Sequence, residues 1–443
     1  MPLNPARPFA VGVMCLAASA CARYTPLPLD ASAHYAVSVA SLKAAPPVLA
    51  PLDEEAVTRL ILDNNPALKE AALRRAEVRG RADAAALPPN PSFGGSLGYL
   101  LSGAGNATAW TAALSQPLNG WITLRARHAE ARATVAEVDA TLAWDAWQAV
   151  AKGRLLVAEI SLNQQLAAAQ RQMAVLLRAH QQALIHATAH GDIEATMAAP
   201  VAQAASEAAQ ASAETERTLA TQRRDLHALM GLAYDAELPL APLPPLASLD
   251  DATLHEAIDG LPRHRPDLVA LAMGYEAEDA RWRVAILSQF PPLSIGYDAS
   301  QDNSRVINGG PALSLDLPVF DRGRAQVDAE GATRQRLHDE YSQRIADARD
   351  EAQALAAACH AGEAQLAEAT AAGAGIASLP AAPLAALSRG DLDRGTYTDL
   401  STASLARRIA TVRTELAVRE QRIALDALLG TGMPAMFPEK DSR

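Results

Sequence analysis

The sequence predicts a mainly α chain of long helical hairpins into which two short pairs of β-strands are set. Three observations lead there. Alanine-rich segments with coiled-coil spacing run well past the length of a globular helix. The same succession of landmarks is written twice. Each copy holds two short runs in which apolar and polar side chains alternate.

Of 443 residues, 49% are hydrophobic but only 4% aromatic. Alanine supplies much of the apolar content, which suits helices that approach one another closely. The formal charge of −11 disfavours a nucleic-acid partner, because phosphates demand a basic face and none is visible in the sequence. The first residues carry Arg7 and then an apolar run over 9–20, too short to span a bilayer as a helix. Residues 1–20 therefore read as a secretory signal. Ala18-Ser19-Ala20-Cys21 resembles a bacterial lipobox, with alanine where leucine is usual, and would make Cys21 the lipidated, palmitate-bearing N-terminus of a lipoprotein. The same residues also fit ordinary cleavage after Ala20. Residues 21–52, rich in proline and alanine, read as an extended, lipid-anchored strap. With Cys15 and Cys21 in or beside the signal, Cys359 is left without a disulfide framework.

The repeat follows. Asn65-Pro66-Ala67-Leu68 returns as Arg265-Pro266-Asp267-Leu268, and Pro91-Ser92-Phe93 as Pro291-Pro292-Leu293. Leu114-Ser115-Gln116-Pro117-Leu118 answers Leu315-Asp316-Leu317-Pro318-Val319. Gly191-Asp192-Ile193-Glu194 matches Gly390-Asp391-Leu392-Asp393, and His227-Ala228-Leu229-Met230-Gly231 matches Asp426-Ala427-Leu428-Leu429-Gly430. All five pairs keep one order and nearly one offset, so the chain is a tandem duplication over 53–235 and 250–431, joined by a Pro-rich linker at 236–249 and followed by a tail at 432–443.

Each half opens with one helix, over 54–87 in the first, stopped by Pro88-Pro89-Asn90-Pro91. Two strands come next. Phe93, Leu97, Tyr99 and Leu101 alternate with Gly94, Ser96 and Gly98; Trp110, Ala112 and Leu114 with Thr111, Ala113 and Ser115. In the second half Leu293, Ile295 and Tyr297 alternate with Ser294, Gly296 and Asp298, and Leu313, Leu315 and Leu317 with Ser314 and Asp316. Such alternation fits a lipid-facing barrel with a wet lumen and equally a half-buried hairpin of a soluble protein. Four strands cannot close a barrel, and an open edge cannot face lipid. If these strands enter a membrane, several chains share one barrel.

From about 123 to 186 no proline occurs, so a continuous helix there would reach roughly 95 Å. Leu155, Leu162, Leu166, Ala169, Met173 and Leu176 follow coiled-coil spacing, as do Ile345, Ala348, Ala352, Leu355, Cys359 and Leu366. The Met and Cys in these stripes read as packing residues. A Gly-Asp turn then leads into a shorter returning helix that ends at Gly231 or Gly430. In the second half Pro380 and Pro383 interrupt the pattern before its turn.

The duplication, the Asn-Pro-x-Leu opening, the 315–324 run Leu-Asp-Leu-Pro-Val-Phe-Asp-Arg-Gly-Arg, the Gly-Asp turns and the Leu-Leu-Gly close together resemble the TolC-like outer-membrane efflux family over essentially the whole mature chain. That resemblance implies a homotrimer whose transmembrane twelve-stranded β-barrel takes four strands from each chain and continues into a periplasmic α-helical barrel of coiled-coil hairpins. It implies an outer-membrane exit channel of a tripartite efflux system, with a periplasmic adaptor (membrane fusion protein), an inner-membrane pump of resistance-nodulation-division type and outer-membrane lipid as partners. Gly191, Asp192, Gly390 and Asp391 would form the periplasmic tip where the adaptor docks, and Glu194, Asp393, Arg394 and Asp399 are the aperture candidates beside it. A ring of carboxylates at a constriction repels anions; the same aspartates also fit solvated turns in which each caps the next helix.

The sequence offers no catalytic set, cofactor motif or metal site. His255-Glu256 lacks a second histidine at zinc-protease spacing, and His186 and His190 read as a solvated helix end. The alternative function is a lipid-anchored periplasmic coiled-coil adaptor or scaffold without a pore.

Overall fold

The computed structural model describes residues 24–31, 35–45, 51–103, 105, 107–191, 194, 196, 198–320, 322–374 and 386–431. Residues 1–20, which read as a signal, Cys21, Asp192, Pro380, Pro383 and residues 432–443 lie outside them. Residues 1–35 form one unit, in which 24–31 take no regular structure, and residues 36–443 form another.

The first half opens with α1 (Glu54–Asn64) and α2 (Pro66–Ala85), not with the single helix expected over 54–87. Proline at 66 has no amide hydrogen and drives the preceding residue out of the helical region. Asn65 accordingly sits at φ −54°, ψ 122°, and its side-chain oxygen accepts from the amides of Ala67 and Leu68, starting a new helix where the old one stops. Strands β1 (Ser92–Gly98) and β2 (Ala109–Pro117) follow. Then comes α3 (Leu124–His190), whose 67 residues span about 100 Å, and α4 (Ala198–Met230) returns beside it.

The second half repeats this plan with α5 (Asp251–His264), α6 (Pro266–Leu287), β3 (Leu293–Gln301), β4 (Ile307–Leu315), α7 (Arg324–Ala374) and α8 (Arg394–Leu429). The opening helix again breaks at its X-Pro step, Arg265-Pro266. The last strand starts well before the stretch that alternation marked, and ends at Leu315, short of Leu317. Asn308-Gly309-Gly310-Pro311 reads as a turn by composition, yet pairing with β3 holds it extended.

Two matched cores hold the repeats. In the first, Val57, Leu60 and Ile61 of α1 pack on Leu156, Val157 and Ile160 of α3 and on Leu226 and Met230 of α4, with Val39, Leu42 and Leu52 closing the cluster. In the second, Ile258 and Leu261 of α5 meet Ala352, Ala356 and Cys359 of α7 and Leu425 and Leu429 of α8. Cys359 is fully buried there, as a packing residue. The halves also interlock. Trp147 Nε1 donates to the Ala427 carbonyl at 2.8 Å, Arg154 pairs with Glu54 of its own half and lies 3.9 Å from Asp426 of the other, and Leu162 and Leu166 meet Val412.

The predicted helix ends are present. Gly231 and Gly430 close α4 and α8 at φ 68° and 67°, and a Cβ at either would also press on a backbone carbonyl, of Asn64 or of His264.

Gly153 of α3 has a different task. A Cβ there would lie 2.2 Å from Cδ1 of Ile61, whose side chain is wholly buried. The matching pair in the second half is Ala352 and Leu261, both in the second core, with a methyl where Gly153 has none and a side chain branched at Cγ instead of Cβ. In the wild-type chain, Gly153→Ala sets an overpacking cost of about 1–3 kcal/mol against a helix-propensity gain of about 1 kcal/mol, and net destabilisation is expected. In the I61V background the offending carbon is gone, and the same substitution should stabilise. Melting temperatures of the two single variants and the double variant read this sign change; destabilisation in both backgrounds would contradict it.

Candidate functional site

The four strands form one antiparallel sheet in the order β1-β2-β3-β4. Its register puts Phe93 beside Leu114, Leu114 beside Tyr297 and Tyr297 beside Pro311; Leu97 beside Trp110; and Ile295 beside Leu313. Directly paired residues share a face, so one face of the sheet is largely apolar, with Gln116 and Gln301 at its two ends. The opposite face carries Ser96 beside Thr111, Thr111 beside Ser300, Ser115 beside Gly296, Ala113 beside Asp298 and Asp298 beside Gly310. The alternation seen in each strand is thereby a property of the sheet.

The apolar face is uncovered. Phe93 is 76% exposed, Leu97 67%, Tyr297 57% and Leu313 72%. Among the described residues two edges are open as well, the outer sides of β1 and β4. The Asp316 amide donates to the Pro292 carbonyl, so by strand alternation the amides of 314, 312 and 310 also turn toward β3. Pro311, which has no amide hydrogen, thus presents its gap to the open edge, where a strand tolerates proline. No described helix is long and apolar enough to cross a membrane.

Below the sheet, side chains tie strands to helices. Arg127 of α3 donates to the carbonyls of Ala85, Leu87 and Gly120, holding the end of α2 against the start of α3. Asn119 links the halves: its amide donates to the Phe290 carbonyl and its oxygen accepts from Leu293 N. A cluster of carboxyls lies just beneath. Glu278 of α6 is 2% exposed, receives Arg281 Nη1 at 2.7 Å and faces Glu330 of α7, while Arg281 Nε donates to Glu130 of α3. Burial, then the neighbouring Glu330 carboxyl, pushes the Glu278 carboxyl above its ordinary value against the pull of Arg281. Burial raises Glu137, also on α3, in the same way. Sequence reading singled out neither Arg127 nor Glu278, which look like ordinary charges on helical surfaces.

At the far end of the long helices the tip residues fall as follows. Gly191 ends α3 in the left-handed conformation, φ 81°, and Gly390 has the same φ at the matching turn. There the Gly390 amide donates to the Leu387 carbonyl and the Asp391 amide to that of Ala386, which closes the preceding helical turn. The Asp391 carboxylate takes Arg389 Nε at 2.8 Å. Asp393 caps α8: it accepts from Thr396 N at 3.0 Å and from the Thr396 hydroxyl at 2.5 Å, bonds that hold its carboxyl below the ordinary value, the hydroxyl contributing most. Glu194 and Asp399 are exposed, as is Arg394. Among the described residues, no hydrogen bond or ion pair joins Glu194 to Asp391, Asp393, Arg394 or Asp399. His190 Nδ1 contacts the His186 carbonyl at 2.8 Å, a bond within its own helix.

The raised carboxyl of Glu278 sets a direction with pH. A folded chain that holds this proton after the unfolded chain has lost it is most stable in mild acid, and loses that advantage as pH climbs through the raised value. In Glu278→Gln the amide accepts from Arg281 and donates to Glu330 at every pH. Between about pH 5 and about pH 8, its melting temperature should fall less than that of the wild type. Parallel melting curves would refute the assignment.

No family model and no curated protein matches the sequence. Solved structures do. The outer-membrane channel OprN aligns at 16% identity over 86% of this chain and 90% of its own, with a TM-score of 0.68. The Campylobacter jejuni CmeC outer membrane channel aligns at 12% identity over 94% of this chain and 96% of its own, also at 0.68. CusC, described in terms of folding and transmembrane channel formation, aligns at 21% identity over 86% and 92%, at 0.61. The chain accordingly has the mainly α, TolC-like fold of these outer-membrane channels, with its duplicated helical hairpins and four-stranded antiparallel sheet.

Proposed function

We propose that this protein is the outer-membrane exit channel of a tripartite efflux system. Three chains close a twelve-stranded barrel, and the helices continue the passage into the periplasm. The observation that carries the reading is the sheet: apolar and uncovered on one face, polar on the other, and open at both edges. An open edge in lipid leaves backbone groups unsatisfied at several kcal/mol each, a cost that closure with neighbouring chains removes. β1 of one chain would pair with β4 of the next. The apolar face then meets lipid, and the Ser, Thr and Gly face lines water. The channel fold of the solved neighbours supports the same reading.

On this reading the Gly191 and Gly390 turns, with Asp192 and Asp391, form the periplasmic tip. There a periplasmic adaptor would dock and connect the channel to an inner-membrane pump, of resistance-nodulation-division type. At the docking turn Asp391 is paired with Arg389; among the aperture candidates Asp393 is engaged as a helix cap, which leaves Glu194, Arg394 and Asp399 to face an aperture. Cys21 would carry the lipid that anchors the mature N-terminus in the outer membrane.

The test is to purify the mature chain in detergent, determine its mass and reconstitute it in planar bilayers, with Asp399→Ala alongside. The expected result is a trimer that forms conducting pores, with Asp399→Ala shifting the conductance or its closed fraction. A water-soluble monomer or dimer without conductance would remove the channel reading and favour the adaptor. A trimer whose conductance ignores Asp399→Ala would keep the channel and remove that residue from the aperture.

A further inference from the structure

We propose that Asp298 sets the charge preference of the barrel itself, as a carboxylate ring midway along β3 that favours cations and slows anions. The proposal rests on the channel reading above. Asp298 is the one charged side chain in the four strands. The register places it on the polar face, paired with Ala113 on one side and Gly310 on the other. Neither neighbour can reach over it, and it is exposed. Among the described residues it has no cationic partner. The remainder of that face is Ser, Thr, Gly, Ala, Asn and Pro117, which supply no compensating charge.

The loops beyond the far strand ends leave the balance unchanged. The β1–β2 loop over 99–108 carries no charge, and the β3–β4 turn holds Asp302 and Arg305, which offset each other. Asp316 shares the polar face but lies past the end of β4, beside the helices. The duplication sharpens the point. In the first half the position matching Asp298 is Gly98, so each chain brings one carboxylate to this level, and a trimer brings three. A few like charges on the wall of a water-filled pore with low-dielectric surroundings concentrate counter-ions and deplete co-ions.

Reversal potentials across a KCl gradient in planar bilayers test this. Wild-type pores should prefer potassium over chloride. Asp298→Asn should lower the permeability ratio about threefold at low salt while retaining the conductance, with the difference shrinking as salt rises. Gly98→Asp adds a carboxylate to the same face, where a Cβ meets only the Ala109 Cβ at 3.6 Å, and should raise the ratio. The two variants act in opposite directions, so a folding defect in one leaves the other to decide. Conducting pores whose ratio moves with neither variant would overturn the inference and leave the channel standing. Absence of any pore in the wild type would overturn both.

Discussion

Much of this structure depends on the need to satisfy the backbone at the two open edges of one small sheet. A four-stranded sheet with an uncovered apolar face cannot stay as it is, either in water or in lipid. In water the face invites association; in lipid the edges cost too much. In the proposed assembly, pairing of β1 with β4 of another copy would resolve both problems at once. The rest of the chain then has to deliver the strands in the right register, to which Arg127 and Asn119 contribute by tying the end of α2 and the start of β3 to the segment that opens α3.

The helices answer a second constraint, length without collapse. A 67-residue helix has too little apolar surface of its own to stand alone, and its stripe must be covered along its course. Alanine and glycine allow α1, α4 and α6 to come near, and where the approach is tightest the sequence gives up a side chain altogether, at Gly153. The duplicated half solves the same contact with Ala352 and Leu261, so the repeats share a plan without sharing each packing detail.

Most of the plan was readable in the sequence because it is periodic. Gly191, Gly231, Gly390 and Gly430 announce left-handed helix ends that only glycine fills cheaply, and all four have positive φ. Alternation found the four strands because a sheet wet on one side and dry on the other repeats every two residues. Three things were harder to see. The breaks at Asn65 and Arg265 were in plain view as X-Pro steps, but the helical pattern on both sides masked them. The start of β4 looks like a turn, since Asn308-Gly309-Gly310-Pro311 is extended only through its long-range pairing with β3. Glu278, Glu330, Glu130 and Arg281 come from three helices, and no local pattern shows that they meet.

Pro311 matters most to a chain that has not yet met its neighbours. An isolated sheet with a regular free edge is a template for any extended segment, and wrong partners are more numerous than right ones. By withholding one donor midway along β4, the chain makes its edge a poor template for indiscriminate pairing. The proposed ring, held by its other rungs and by the helices beneath, would absorb the missing rung; a chance two-strand encounter has less to spare. In the proposed trimer the proline would thus act as a small kinetic safeguard, biasing a solitary protomer away from aggregation and toward the one edge whose full complement of contacts outweighs the gap.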